Sequence, residues 1–169
     1  MFDRIVMGVD PGIASTGLAA VGTSRREGLR VAWSHTVRTA AGADEATRLE
    51  LVHAALAEAL GEWGPEALAV ERLMWGRNVG SAMSVARASG VVLLAGAQAR
   101  VPVHEYAPLE VKMAITGSGV ARKEDLRRAL ARLLSVRGVP SQPDAADAVA
   151  VAVCHLAQAP AVRGRRVAT

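Results

Sequence analysis

Met7-Gly-Val-Asp-Pro-Gly-Ile-Ala-Ser-Thr-Gly17 is the stretch on which the fold turns. Ile5, Val6, Met7 and Val9 are apolar enough for a buried strand. Pro11-Gly12 ends it, because proline has no amide hydrogen to give a sheet ladder. One acid, Asp10, is left where a buried strand meets the surface, a costly place for a lone charge unless a cation or partner meets it. Aspartate also opens turns by bonding its own backbone, so this stretch alone leaves both roles open. Gly12 and Gly17 read as residues that shape the turn.

Working outward, residues 4–10, 18–23 and 29–38 read as three strands, the last two joined by a short Gly, Ser and Arg-rich turn, and so as an antiparallel meander. Residues 44–63 read as a helix with the apolar stripe Leu49, Val52, Leu56 and Leu60, stopped by Gly64-Pro65. Residues 67–71 form a short buried strand that again ends in an acid, Glu71. A long helix over 78–100, a strand over 101–106, helices over 108–116 and 122–137, and a last helix over 144–158 complete the order. Strand-helix-strand units pair in parallel through right-handed crossovers. The expected fold is therefore an α/β, five-stranded mixed sheet, antiparallel in its first half and parallel in its second, flanked by helices. Ligand sites of such sheets collect outside the carboxyl ends of strands, where both Asp10 and Glu71 fall.

The 169 residues, half of them hydrophobic, suit one globular domain over 1–158, followed by a basic tail over 159–169. No apolar run is long enough to span a bilayer and no basic-then-apolar leader opens the chain, so a cytoplasmic protein is expected. The single Cys154 excludes a disulfide framework and a cysteine-rich zinc site, and it reads as a small buried hydrophobe. The net charge of +4 suggests an anionic partner. Three arginines of the tail account for most of that charge, so affinity for nucleic acid has to come from local patches.

Asp144 and Asp147, three apart at the start of the last helix, share one face. An acid is expected there for capping alone, since the first turn presents free N–H groups and the positive dipole end. If the last helix packs near the first strand, Asp10, Glu71, Asp144 and Asp147 converge. Four close carboxylates do not all stay ionised without cations, and oxygen-only ligands select hard ions, Mg²⁺ or Mn²⁺.

Gly8-Val-Asp-Pro-Gly12, Ala69-Val-Glu71 with Arg77-Asn78, Glu105-Tyr-Ala107 with Val111-Lys112, and Asp144-Ala-Ala-Asp-Ala-Val-Ala150 occur in an order and spacing that resembles the RuvC family of Holliday-junction endodeoxyribonucleases, of the ribonuclease H-like superfamily. The resemblance runs from Ile5 to about Leu156. It implies that Asp10, Glu71, Asp144 and Asp147 are the metal-binding catalytic set, holding two Mg²⁺ ions, with Mn²⁺ able to substitute. It also implies paired symmetric nicks in four-way DNA, leaving 5′-phosphate and 3′-hydroxyl ends, in recombination and repair. Two metals held by shared carboxylates about 4 Å apart suit such an in-line displacement.

Of the 20 basic residues only Lys112 and Lys123 are lysines. A compact point charge fits beside a phosphate and metals where a guanidinium fork does not, and both lysines match basic residues the family uses near the scissile phosphate; ordinary solvated helix lysines are the other reading. Arg122, Arg127, Arg128, Arg132 and Arg137 read either as a solvated face or as a DNA-backbone surface. In the loop Leu73-Met-Trp-Gly-Arg-Asn78 the family places a base-stacking aromatic. That position is Met74 here, so either Met74 wedges or Trp75 does so one residue later, with Arg77 and Asn78 beside the DNA, unless the two apolar side chains simply plug the space under the next helix. The low-charge helix over 78–100 is buried on most sides within the domain or against a second copy, and the resemblance implies a homodimer through it. Branch-migration motor proteins are partners implied by the same resemblance. His155 is read as a satisfied helix histidine or as a neighbour of the acid pocket, and His35, His53 and His104 as partly buried structural residues.

Two other classes fit parts of the same pattern. Gly8-x-Asp-x-Gly also resembles the phosphate loop of the actin and sugar-kinase phosphotransferases, which need a second such domain. A nuclease for another branched nucleic acid, or a junction-binding protein without catalysis, shares the same residues.

Overall fold

The computed structural model describes residues 2–73, 79–134 and 138–159. The chain runs β1 (Arg4–Asp10), β2 (Ser15–Ser24), β3 (Gly28–Arg38), α1 (Glu45–Trp63), β4 (Ala67–Glu71), α2 (Val79–Gln98), β5 (Val103–Tyr106), α3 (Pro108–Thr116), α4 (Lys123–Leu133) and α5 (Pro143–Gln158). The sheet order is β3-β2-β1-β4-β5. β1 pairs antiparallel with β2, and β2 with β3, whereas β1–β4 and β4–β5 are parallel. This is the mixed sheet expected from the sequence.

Strand alternation sorts the core onto two faces. Met7, Val9, Leu18, Ala20, Leu68 and Val70 pack beneath α1 and α2, against Val52, Leu56, Leu60, Val92 and Ala95. Val6, Ala19, Val21, Ala67 and Ala69 face the other way, onto α5. Outside α5 lie α3 and α4, which contribute Val111, Ile115, Leu126 and Leu130. α5 is thus sandwiched between sheet and helices, and Ala145, Ala146 and every residue from Ala148 to His155 are buried. Asp144 and Asp147, on the first turns, are the half-buried exceptions.

Alanines let α5 approach closely, and two glycines let it seat. A Cβ on Gly8 would lie 2.0 Å from the Ala148 carbonyl oxygen, and one on Gly17 would lie 1.9 Å from that of Asp144. Gly17 therefore does not shape a turn. It sits inside β2, opposite Asp10, as a notch for the helix end. Gly12 does lie in the turn, where a Cβ would meet the Ser15 carbonyl oxygen at 2.4 Å.

Local chemistry sets several boundaries. The Asp44 carboxylate accepts from the Thr47 amide and caps α1 from outside it, and Gly64 closes the other end at φ 49°. α2 ends before Arg100, which takes φ 56°, and the Val101 amide donates back to the Gly96 carbonyl, so β5 begins only at Val103. Among the described residues no helix is long and apolar enough to cross a membrane.

Candidate active site

Asp10 closes β1 on the α5 face, and Gly17 is its antiparallel partner. Glu71 closes β4 one residue beyond the Val9–Val70 pair, with Tyr106 as its partner on β5. Both strands run parallel, so the two carboxylates emerge at the same sheet end and on the same face. Seating α5 in the Gly8 and Gly17 notches brings Asp144 and Asp147 to that end as well. Three separate elements thus bring four acids to one end of the sheet, near enough to act on one another electrostatically.

The electrostatics report the crowding. Burial first, then Glu71, Asp147, a hydrogen bond shared with Glu71, and Asp144 push the Asp10 carboxyl up to about 8. Glu71 is also raised, by burial and by Asp147, while its hydrogen bond with Asp10 and the charges of Lys123 and Lys112 pull it back down. Joint ionisation of these carboxylates is therefore disfavoured, and their combined charge is what a bound cation would offset. Ser15 Oγ donates to Asp144 Oδ2 at 2.6 Å, and Lys123 Nζ donates to Asp147 Oδ2 at 3.1 Å. That pairing raises the Lys123 ammonium further. The acids lean onto these partners, and among the described residues no three His, Cys, Asp or Glu side chains close on a common point.

A pocket of about 250 Å³ opens beside the acids, lined by Glu71, Asp147, Lys112 and Lys123 and floored by Pro108, Val111, Leu126 and Ala150. Both lysines of the chain are thereby brought to the carboxylates. Arg122 is exposed at the N-cap of α4, next to Lys123. On the outer face of α4, Arg127 donates to the Pro140 carbonyl and Arg128 pairs with Asp125, whereas Arg132 is exposed. Met74, Trp75, Arg77 and Asn78 lie outside the described residues, as do Arg137 and positions 160–169 of the basic tail.

His155 faces away from the acids. It is buried, with Nδ1 2.7 Å from the Tyr106 hydroxyl and its ring 4.7 Å from that of His104. Burial, His104 and Arg4 lower its pKa. His53 is half-buried and bonds Gln98, but His35 and His104 are exposed rather than partly buried, because both project from outer positions of edge strands. Cys154 is buried, as expected, and burial pushes its thiol up to about 11. Sequence reading missed Ser15, Tyr106 and the packing role of Gly8 and Gly17. The available signal was the match between glycines on one strand face and an alanine-rich helix.

Five strands in this order, two acids at neighbouring strand ends and two more on a helix laid across them define the ribonuclease H-like class of nucleases. The sequence model of the family described as crossover junction endodeoxyribonuclease RuvC matches residues 6–155, and the chain belongs to that family. The enzyme of that name from Moorella thermoacetica is 42% identical over 156 residues, covering 92% of this chain and 93% of the relative. That of Roseiflexus sp. is 41% identical, with 93% of each covered. Among solved structures, Thermus thermophilus RuvC in complex with a Holliday junction substrate superposes with a TM-score of 0.84 at 34% identity, over 90% of this chain and 93% of that one. Nucleases of this family depend on metal.

Proposed function

We propose that the chain resolves four-way DNA junctions by metal-dependent hydrolysis of phosphodiesters at Asp10, Glu71, Asp144 and Asp147. Family membership makes it a crossover junction endodeoxyribonuclease. The observation that carries the site is the seating of α5 in the Gly8 and Gly17 notches, which gathers acids from β1, β4 and α5 beside Lys112 and Lys123.

The donor set fits hard divalent cations: four carboxylates, no soft ligand, and crowded negative charge that Lys123 offsets at Asp147. Asp10, half-buried and facing Glu71, Asp147 and Asp144, is the carboxylate best placed to serve both ions, and the other three acids would complete the donor set. Mg²⁺ is the physiological choice, with Mn²⁺ able to replace it. When bound, the ions supply an activated water and charge stabilisation at the phosphate. Lys112 and Lys123 hold the phosphate at the pocket mouth, Ser15 fixes the rotamer of Asp144, and the apolar floor of Val111, Leu126 and Ala150 limits water. Exposed arginines of α4 and Arg122 add backbone affinity without sequence information.

Two cuts in two strands require two sites, and the exposed apolar residues Met83 and Leu94 on α2 favour a homodimer through that helix. Met74 or Trp75, with Arg77 and Asn78, meet the junction core. The enzyme works in the cytoplasm, beside branch-migration motor proteins. Incubation with a synthetic four-way junction and Mg²⁺ tests the reading: paired, ligatable nicks are expected, lost in Asp147→Asn. Cutting that survives Asp147→Asn would sink it.

A further inference from the structure

Tyr106 belongs to a motif, Glu105-Tyr-Ala107, that the carboxylate site does not itself use. β5 is a four-residue edge strand whose first three residues are exposed or half-buried, and Tyr106 is its one buried position. Its backbone is the register partner of Glu71, and its carbonyl accepts from the Arg72 amide at 2.8 Å. Registered pairing of β4 with β1 stops at Val70, so on the sheet Glu71 is held from the β5 side. The Tyr106 side chain turns to the α5 face, where its hydroxyl lies 2.7 Å from Nδ1 of His155 and the two rings meet edge-on at 5.9 Å. His155 is 4% exposed, and it lies two turns beyond Asp147 on the same helix. The exposed ring of His104 covers it from the other side at 4.7 Å. One hydroxyl thus joins the strand end that carries Glu71 to the helix that carries Asp144 and Asp147. Two residues after Tyr106 begins α3, the helix of Lys112.

We propose that Tyr106 is a positioning residue, which through its hydrogen bond to His155 fixes the distance between Glu71 and the two α5 carboxylates. This rests on the four acids forming the metal site. A ligand pair drawn from two elements binds an ion well only when the spacing between those elements is fixed. Partners hydrogen-bonded directly to ligands typically govern metal affinity by 10–100-fold, and a strut acting through the elements falls at the low end of that range. The hydroxyl touches neither substrate nor ligand. Its effect should therefore fall on ion binding and turnover rather than on junction binding.

Tyr106→Phe removes only the hydroxyl. Mn²⁺ binding to the free protein, followed by calorimetry, should weaken roughly tenfold. Single-turnover cleavage at saturating junction should fall in step, while junction affinity measured in Ca²⁺ stays within about twofold. Near-ultraviolet circular dichroism checks that the variant is folded. His155 supplies a second arm that holds even if Tyr106→Phe misfolds. Asparagine there keeps an acceptor near the position of Nδ1 and should bind Mn²⁺ like the wild type, whereas His155→Leu should match Tyr106→Phe. Wild-type Mn²⁺ affinity in a folded Tyr106→Phe, or equal behaviour of His155→Asn and His155→Leu, would overturn the proposal. Failure of the wild type itself to bind Mn²⁺ would instead overturn the metal site on which it rests.

Discussion

Removing the charge of Asp10 should make the metal-free protein more stable while abolishing its activity. The side chain ionises near 3.8 in an unfolded chain, but burial and the neighbouring carboxylates push it up to about 8 when folded. The folded state therefore holds a proton that the unfolded state releases across that window. Stability from this source is complete below about pH 4, drains as pH rises, and is gone above about pH 8. Four units at 1.36 kcal/mol each set an upper bound on the order of 5 kcal/mol. The partial exposure of Asp10 and its coupling to Glu71 reduce this to on the order of 2–3 kcal/mol.

Asparagine in Asp10→Asn donates to Glu71 as the protonated carboxyl does, and never ionises. Calorimetric melting in chelator should show the variant roughly 5–10 °C above wild type at pH 8, the gap closing toward pH 4. Saturating Mg²⁺ should then lift the wild type but hardly the variant, since an ion that binds only the folded state stabilises in proportion to the logarithm of its occupancy. Equal melting at pH 8, or curves that stay parallel from pH 5 to 8.5, would refute the crowding of acids.

Gly17→Ala should lower stability by about 1–3 kcal/mol, because its Cβ meets a backbone carbonyl that cannot swing aside, and it should displace Asp144 and reduce cleavage more than junction binding. Thermal melting and gel shift check the two effects, and wild-type melting would dispose of the notch. Lys123→Ala should remove about one phosphate contact from the slope of log affinity against log salt. Lys123→Arg should raise the Mg²⁺ concentration for half-maximal cleavage, and an unchanged titration would count against Lys123 as the competitor for Asp147. Met83→Asp with Leu94→Asp should convert a dimer into a monomer by light scattering, and a monomeric wild type would exclude this interface.

Strand ends were readable wherever one residue settles them. Pro11 stops β1 at Asp10, and the apolar run 67–70 stops at Glu71, because a charge ends a buried strand unless it has a partner. Those two boundaries, with Asp144 and Asp147 in the first turns of α5, place the four acids at one end of the sheet once the last helix is laid on it. The helix starts at Pro143, however, and its N-cap is Gln142 rather than an acid. Long-range packing was not readable. Gly17 resembles a turn glycine until α5 is seen lying on it, and β2 consequently starts at Ser15 rather than Leu18. Arg100 closes α2 in a left-handed conformation without the glycine that would have signalled it. Tyr106 and His155 are 49 positions apart, and neither residue type names its partner. What the linear pattern records is the free-energy cost of each position, whereas mates across the fold are fixed by which faces meet.

A lysine rather than an arginine at position 123 acquires a reason from this geometry. Lys123 is 78% exposed and its partner Asp147 is 28% exposed, so their ion pair is worth only about 0–1 kcal/mol. A divalent ion at the proposed site displaces it at little cost, and the released ammonium, on a flexible stem, is free to meet a phosphate at the pocket mouth. An arginine there would grip the carboxylate with a rigid fork of two parallel hydrogen bonds and compete with the ion more strongly. On the proposed mechanism the basic residue at this place would neutralise Asp147 in the metal-free protein and yet yield it to an incoming ion. In a chain that otherwise uses arginine throughout, a weak and compact cation beside the acids is what that exchange requires.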